Sequence, residues 1–319
     1  MKIIGILLLS LGLLQADSLL VLSKGDLTLS IVDPSTLKVI AKMPTGPDPH
    51  EVIASTDGKF AYISNYGGGT YNTITVVDLL AHKTLTAIDL GALKGPHGLI
   101  YTGGKLWFTV EGSKAIGSLD PATNKVDWVL GTGQNRTHMI YVFNDLKRMV
   151  TSNINSATMT IIEQTAGRNP ATDWNETVVP VGRGAEGFDV TGQELWAANA
   201  QDGTISIVDL SGKKVVETLD ANVKSANRLK FTPDGKLALV SLLASPEVAV
   251  FDVATRKLKK RIPIGSGAAG IAMQPDGSRA FAACTPDVYV AVIDLKTLEV
   301  TGHVEAGKNP DGMAWVNRP

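Results

Sequence analysis

The chain has 319 residues, with 30 lysine and arginine side chains against 31 aspartate and glutamate side chains, which gives a formal net charge of −1. This balance provides no basic surface for nucleic acid or anionic lipid, so neither is expected as a partner. A single cysteine, Cys284, excludes an internal disulfide. Stability must therefore come from burial, and a chain of this length can bury a large core.

Residues 1–16 are predicted to be a secretory signal peptide. Lys2 precedes an apolar run that begins at Ile3, and the small residue Ala16 precedes the first acidic residue. The apolar run is too short for a stable membrane anchor, and no second long apolar stretch follows it. We therefore expect cleavage after Ala16, export to the periplasm or the extracellular medium, and a mature chain without a membrane span.

From residue 17 onward, the chain repeats one unit seven times. Each unit contains an alternating β run that ends in an acidic residue, and the intervals between successive acids are 45, 42, 43, 46, 43 and 42 residues. These acids are Asp33, Asp78, Asp120, Glu163, Asp209, Asp252 and Asp294. A period of this length indicates one supersecondary unit that is copied along the chain.

Four short strands are predicted within each unit. In one of them, the run "AGIAMQ" is followed by the turn "PDGS" and then by the strands "RAFAAC", "YVAVID" and "LEVTGHV". Apolar and polar residues alternate with period two, and no stretch has a sustained helical period. An all-β repeat of this size is typical of a four-stranded propeller blade.

The two ends of the repeat region are predicted to share a blade. The segments "SLLVLSK", "LTLSIVD" and "LKVIAKM" supply a second, third and fourth strand, and "PDGMAWV" supplies a first strand. Pairing them completes a seventh blade and removes exposed sheet edges. The sequence therefore predicts one all-β domain over residues 17–319, a closed seven-bladed β-propeller with four antiparallel strands in each blade.

The segments "FAYISN", "TPDGKLALVS", "QPDGSRAFAAC" and "ISIVDLSGKKVVETL" resemble the repeats of the YVTN-type seven-bladed β-propeller family. The resemblance extends over residues 17–319 and implies both the propeller fold and export. Similar propellers serve as lactonases, lyases, oxidoreductase domains and binding scaffolds. The resemblance therefore implies no single function.

One residue from the first strand of each blade is expected at the mouth of the central channel. In chain order these rim residues are His50, His97, His138, Glu186, Asn227, Ala269 and Asp311. The residues that close the second strands are expected slightly farther out. In the same order they are Asn65, Glu111, Asn153, Asn199, Leu242, Cys284 and Lys24. Blades one to four thus gather three histidines and two glutamates, whereas blades five and six offer apolar or small groups.

Three imidazoles on neighbouring strands suggest a site for one divalent metal ion, zinc or a similar ion. His50, His97 and His138 are the expected ligands, and Glu186 is expected to complete the coordination sphere. Glu186 and Glu111 are the candidate catalytic carboxylates, since Glu111 can orient a histidine or accept a proton. No other cofactor is expected.

Two further interpretations of the same residues stay open. A metal-free polar site can bind a small ligand, and histidines at strand starts can serve only as hydrogen-bond partners of a neighbouring loop. His82 and His303 fall in outer segments and are expected to be exposed to solvent. Cys284 is expected to be a small buried residue and not a nucleophile.

The sequence favours two classes of function without deciding whether the protein is an enzyme. The first is an exported metal-dependent hydrolase or lyase, lactonase-like by resemblance, that acts on a small-molecule substrate. The second is a non-catalytic propeller that binds a small ligand or a protein partner. In either case the protein is expected to be a monomer.

Overall fold

The predicted seven-bladed propeller is confirmed by a computed structural model that describes residues 17–166 and 173–317. The proposed signal peptide, residues 1–16, lies outside the described residues. Seven antiparallel sheets form a ring, and the first strand of each blade contacts the first strands of both neighbouring blades. Within the described ranges, no helix is long and apolar enough to cross a membrane.

The blades are numbered so that blade 1 carries His50 and blade 7 joins the two ends of the repeat region. The first strands in chain order, which belong to blade 7, are β1 (Ser18–Ser23), β2 (Thr28–Asp33) and β3 (Lys38–Pro44). Blade 1 contains β4 (Pro49–Ala54), β5 (Phe60–Asn65), β6 (Thr73–Asp78), β7 (Lys83–Thr84) and β8 (Ile88–Asp89). Both β7 and β8 pair with β6, so the fourth strand of blade 1 is split.

The next two blades have four unbroken strands each. Blade 2 contains β9 (Pro96–Thr102), β10 (Lys105–Val110), β11 (Ala115–Asp120) and β12 (Lys125–Gly131). Blade 3 contains β13 (Thr137–Val142), β14 (Arg148–Asn153), β15 (Thr158–Gln164) and β16 (Trp174–Pro180). Short 3-10 turns follow the second strands of blades 1 to 3, at Gly67–Gly69, Glu111–Ser113 and Ile154–Ser156.

The remaining blades follow the same order. Blade 4 contains β17 (Ala185–Thr191), β18 (Glu194–Asn199), β19 (Thr204–Asp209) and β20 (Lys214–Leu219). Blade 5 contains β21 (Ala226–Phe231), β22 (Leu237–Leu242), β23 (Glu247–Asp252) and β24 (Lys257–Pro263). Blade 6 contains β25 (Ala268–Met273), β26 (Arg279–Cys284), β27 (Tyr289–Asp294) and β28 (Glu299–Val304). Blade 7 is completed by β29 (Pro310–Val316).

The core lies between the blades. Second and third strands are buried along most of their length because both faces of a blade contact a neighbour, whereas β12 alternates between exposed and half-buried residues at the outer edge. Seven hydrophobic clusters fill the seven gaps between consecutive blades. In the gap between blades 4 and 5, the fully buried Trp196 packs against Phe231 with ring centroids 5.6 Å apart.

The repeated acid at the end of the third strand stabilises a turn. Asp33 accepts a hydrogen bond from the N–H of Ser35 at 2.8 Å, and Asp294 accepts one from the N–H of Thr297 at 2.8 Å. The Ser35 hydroxyl also donates to Asp33, and this bond together with the N–H bonds favours the ionised carboxylates and holds the pKa of both aspartates below the usual range. Glu163 has a longer side chain and pairs with Lys213 instead.

Ring closure occurs as predicted. Strand β29 pairs antiparallel with β1, with Leu19 opposite Trp315 and Leu20 opposite Ala314. The same strand contacts the first strands of blades 6 and 1, β25 and β4. Blade 7 therefore has no missing strand, and the channel wall is continuous.

Candidate functional site

A cavity of about 460 Å³ opens at the channel mouth, where the first strands begin. It is lined by Lys24, Gly25, His50, Tyr66, His97, Arg136, His138, Glu186, Asn227, Arg228, Leu243, Ala269, Thr285, Asn309 and Asp311. All seven predicted rim residues lie in this wall. The proposed roles of the rim histidines as metal ligands and of Glu186 as a ligand or catalytic group stay predictions.

A residue in the left-handed backbone region precedes every rim residue by two positions. These residues are Asp48, Gly95, Arg136, Gly184, Ser225, Gly267 and Asn309. Because the same turn recurs, the chain enters each first strand at an equivalent point. This recurrence explains why alignment of the repeats predicts which residues reach the cavity.

The strands that carry His97 and His138 are in close contact. A Cβ atom on Gly98 would lie 2.6 Å from the carbonyl oxygen of His138, so only glycine permits this approach. The Thr109 hydroxyl accepts the N–H of Gly98 at 2.8 Å and donates to the carbonyl of His138 at 2.7 Å. The two imidazole rings consequently lie with centroids 3.8 Å apart.

His97 and His138 are both 2 % exposed and are incompletely hydrogen-bonded. His138 donates through Nδ1 to Glu111, which leaves a lone pair on Nε2, and this buried nitrogen has no hydrogen-bond partner in the part of the chain that the structure describes. The buried Nδ1 of His97 likewise has no hydrogen-bond partner among the described residues. Such orphaned atoms in a cavity wall are unusual, since buried polar groups are normally paired.

Burial keeps both imidazoles neutral. Burial and the neighbouring His138 hold the pKa of His97 well below the usual range. Burial and the cations of Arg228 and Arg136 act in the same direction on the pKa of His138. A neutral imidazole is the form that coordinates a metal ion.

Glu111 is held from three sides behind the histidines, as the sequence predicted. One carboxylate oxygen accepts from His138 Nδ1, and the other accepts from the Tyr66 hydroxyl and from Arg136 Nε, the latter at 3.3 Å. Burial and the contact with Glu111 raise the pKa of Tyr66 to about 12, so this hydroxyl remains a donor. Glu111 therefore fixes the orientation of the His138 ring.

Glu186 is the next residue around the ring from His138. Its Oε1 accepts from Asn227 Nδ2 at 2.6 Å and lies 3.9 Å from His138 Nε2. Burial raises the pKa of this carboxyl, against the opposing effect of the Arg228 and Arg136 charges. Glu186 thus presents a carboxyl oxygen beside the unpartnered Nε2 of His138.

His50 reaches the same cavity, but both of its nitrogens face other groups. Its ring centroid lies 5.2 Å from that of His97. Nε2 accepts from Lys24 Nζ at 2.7 Å, and Nδ1 lies 3.3 Å from a carboxylate oxygen of Asp48. Lys24 also lies 3.3 Å from the Asp311 carboxylate. A bound ion would have to displace Lys24 before His50 Nε2 could coordinate it.

The most compact group of potential ligand atoms differs from the predicted set. Among residues 17–166 and 173–317, His97, Glu111 and His138 each offer one such atom, and these atoms lie within 4.8 Å of one another. The sequence predicted His50 and Glu186 as further ligands, with Glu111 behind them. Which of these residues bind an ion stays a prediction.

The predicted outer ring is only partly correct. Asn65 is buried and donates to Thr73 Oγ1 at 2.9 Å, and Asn153 and Asn199 bond to the third strands of their blades in the same way. These asparagines hold blades together and do not line the cavity. Of the predicted outer ring, Lys24 lines the cavity and Glu111 lies directly behind its wall. In blades 1, 5 and 6 the cavity is instead lined by the residue one position after the predicted one, namely Tyr66, Leu243 and Thr285.

Two further expectations are met. Cys284 is fully buried, and burial raises the pKa of its thiol to about 11, so it is not a nucleophile at neutral pH. His82 and His303 are exposed.

Comparison with known proteins supports the fold. No protein-family model matches this chain, and no curated protein matches its sequence. A functionally unknown protein from Desulfotomaculum acetoxidans DSM 771 has a similar structure, with a TM-score of 0.77 and 13% identity over 95% of this chain and 99% of that one.

Two similar structures carry a functional description, "putative 6-phosphogluconolactonase". The protein from Bacteroides fragilis NCTC 9343 has a TM-score of 0.75 and 14% identity over 96% of this chain and 99% of its own. The protein from Bacteroides uniformis ATCC 8492 has a TM-score of 0.77 and 15% identity over 95% and 100%, respectively. At these identities the similarity shows a shared fold alone.

Proposed function

We propose that the cavity at the channel mouth binds one divalent metal ion, zinc or a similar ion, and that the protein is a metal-dependent hydrolase or lyase for a small molecule. The observation that carries the proposal is the pair of buried, unpartnered imidazole nitrogens, His97 Nδ1 and His138 Nε2, on two residues of the cavity wall. Leaving such atoms unpaired costs free energy that a bound ion would recover.

The charge balance supports the same proposal. Five carboxylates lie in or beside the cavity wall, those of Asp48, Glu51, Glu111, Glu186 and Asp311. Three cations face them, those of Lys24, Arg136 and Arg228. The excess of two negative charges equals the charge of one divalent ion.

We assign His97 and His138 as metal ligands, with Glu186 as the third ligand and Glu111 as a positioning residue. Glu186 suits the ligand role because its Oε1 lies 3.9 Å from the unpartnered His138 Nε2. Glu111 suits the positioning role because both of its oxygens already accept hydrogen bonds. A carboxylate that orients a ligating histidine in this way is a frequent companion of metal sites. The role of His50 as a fourth ligand remains part of the proposal.

The ion, when bound, would polarise a substrate carbonyl or lower the pKa of a water. The residues of the chain provide the rest. Glu111 keeps His138 in the tautomer whose Nε2 lone pair faces away from Glu111. Burial of His97, His138 and Arg228 in the wall places these groups in a medium of low dielectric constant, which strengthens their electrostatic contacts. Lactone opening is the reaction that we propose to test first, because two structures of the same fold carry a lactonase description.

Elemental analysis of the purified protein tests the proposal. We expect one divalent transition metal ion per chain in the wild type and its loss in His97→Ala and His138→Ala. The matched control is His82→Ala, in which an exposed histidine is replaced and the metal content should be unchanged. His50→Ala separates the two ligand sets, since it lowers metal affinity only if His50 coordinates the ion. A wild type that neither contains an ion nor binds zinc in calorimetry would contradict the proposal.

Activity requires a separate experiment. We expect hydrolysis of members of a lactone panel, loss of this activity on chelation and its return on addition of metal. Turnover that survives chelation would contradict the metal-dependent mechanism. A bound metal without turnover of any lactone would instead favour the binding function. Membership of the YVTN-type family, export and cleavage after Ala16 complete the proposal and rest on the sequence.

A further inference from the structure

Arg136 occupies a backbone position that favours glycine. Its φ is 55°, in the left-handed region, and the equivalent residues are glycine in blades 2, 4 and 6 and the small polar residues Asp48, Ser225 and Asn309 in blades 1, 5 and 7. A long side chain in this region costs conformational free energy that glycine avoids. The turn places the long side chain of Arg136 in the cavity wall, where the other six blades carry a shorter side chain or none.

The charge of Arg136 is the least compensated of the three cations in the cavity wall. Its partner Glu111 is shared with His138 and Tyr66. Lys24, by contrast, lies between two carboxylates, and the Arg228 guanidinium is buried against Glu51. Arg136 is also the most exposed of the three, with 42 % of its side chain accessible against 27 % for Lys24 and 7 % for Arg228.

A guanidinium in this situation is suited to an anion. Nε is held by Glu111, and this contact fixes the plane of the group at the cavity wall. The fork of a guanidinium matches two oxygens of a carboxylate, sulfonate or phosphate, and such charge-assisted pairs are strong.

Another part of the cavity wall is apolar. Leu243 follows β22 and is 44 % exposed at the cavity, and Ala269 begins the channel-facing part of β25 on the next blade. Among the residues that directly follow a second strand, Lys24, Tyr66 and Thr285 also line the cavity, and each of them carries a polar group. Leu243 and Ala269 thus provide an apolar section in a wall that is mostly polar.

We infer that the ligand of this site is an amphipathic anion, whose charged group binds Arg136 and whose apolar part contacts Leu243 and Ala269. The inference rests on the proposed function because it assigns a substrate class to the same cavity. A cavity of about 460 Å³ is within the range of pockets that enclose small molecules. The proposed ligand differs from a fully polar sugar phosphate, because a sugar phosphate has no apolar part that could contact the exposed side chain of Leu243.

Three matched probes test the inference by calorimetry on the purified protein. Octanesulfonate carries both the charge and the chain, methanesulfonate carries the charge alone, and octanesulfonamide carries the chain with a neutral head group. We expect octanesulfonate to bind at least about tenfold more tightly than either of the other probes. Equal affinities for octanesulfonate and methanesulfonate, or for octanesulfonate and octanesulfonamide, would overturn the inference.

Two variants link the affinities to the named residues. Arg136→Gln should abolish the preference for the sulfonate over the sulfonamide, and Leu243→Ser should reduce the preference for the octyl chain by about threefold or more. The controls are Arg183→Gln, an exposed arginine in the turn of blade 4, and Leu258→Ser, a 47 % exposed leucine on β24. Neither control residue lines the cavity, so neither should change the preferences. The assignment is wrong if Arg136→Gln keeps the preference for the sulfonate and Leu243→Ser keeps the preference for the octyl chain.

The test separates this inference from the proposed metal chemistry. A sulfonate is a poor metal ligand, so its binding reports on the arginine and the apolar wall. The measurement is repeated after dialysis against a chelator. If the protein contains no metal but the preferences hold, the proposed function fails and the ligand class stands. If metal binds but the preferences are absent, the ligand class fails alone.

Discussion

His97 and His138 combine burial with neutrality, and each property has a consequence that can be measured. Their unpaired nitrogens lie in a wall built by Gly98 and Thr109, which bring the two strands together. The positions of the two histidines therefore depend on Gly98 and Thr109, which contribute no ligand atom. Glu111 extends this arrangement, since it holds His138 while Tyr66 and Arg136 hold Glu111.

Stability should fall in acid because His97 is buried in its neutral form. Its pKa lies well below the ordinary value in the folded state, so below about pH 6.5 the unfolded chain binds a proton that the folded chain does not. The free energy of unfolding should therefore be highest above this pH and fall by up to about 1.4 kcal/mol per pH unit below it for this one group.

Urea unfolding at about pH 7.5 and about pH 5.5 measures this dependence. His97→Gln should show a smaller fall in the free energy of unfolding than the wild type. The exposed-residue variant His82→Gln serves as the control and should behave like the wild type. An identical pH dependence in His97→Gln would show that this group does not contribute.

At the scale of strands, the contact between β9 and β13 is set by a missing side chain. Gly98→Ala would place a methyl carbon 2.6 Å from the carbonyl oxygen of His138, which is too close for two non-bonded atoms. We expect a loss of about 1–3 kcal/mol in unfolding free energy and weaker metal binding, since the strands must move apart. Gly131→Ala is the matched control because nothing lies within 4 Å of its Cβ position. Unchanged stability and metal affinity in Gly98→Ala would contradict this account.

Strand β29 should be essential for stability. Its removal, by ending the chain after Asn309, leaves the buried residues of β1 without a partner on one side. The lost pairing and burial are comparable with the total stability of a typical domain, about 5–15 kcal/mol. We expect no cooperative thermal unfolding from the truncated chain, whereas a control chain that lacks only residues 318–319 should unfold like the wild type. A truncated chain with the wild-type melting temperature would contradict the role of the strand.

The sequence was most informative where the repeat imposes equivalence. The period of the third-strand acids revealed seven blades, and alignment of the first strands predicted all seven rim residues. The recurring left-handed turn explains this success, because it fixes the start of each first strand.

The sequence was least informative just beyond the strand ends. Tyr66 and Leu243 lie one position past β5 and β22, where the loops differ in length and no periodicity applies. The ion pair between Arg228 and Glu51 joins blades 5 and 1 across 177 residues, and no local pattern indicates it. The close approach of His97, Glu111 and His138 also depends on the distance between blades 2 and 3, which the sequence does not indicate.

For the molecule as a whole, seven inter-blade hydrophobic clusters stabilise the fold, as expected for a protein whose single cysteine is free.

The proposed export does not depend on these clusters and has its own test. Intact mass measurement on protein from its native source should show a chain that begins at Asp17. A mass that includes Met1–Ala16 would contradict the signal-peptide prediction. Size-exclusion chromatography of the same material would check the predicted monomer.

Ring closure also fixes the order of events during synthesis. Lys24 directly follows β1 and Asp311 lies in β29, and their ion pair of 3.3 Å joins segments near the two ends of the described chain. Translation produces Lys24 before the strands of blades 1 to 6 and Asp311 after them. His50 contacts Lys24 as well, so this side of the wall is assembled only after translation of β29. Blades 2 and 3, which carry His97 and His138, are therefore synthesised before the strand that closes the cavity wall by pairing with β1.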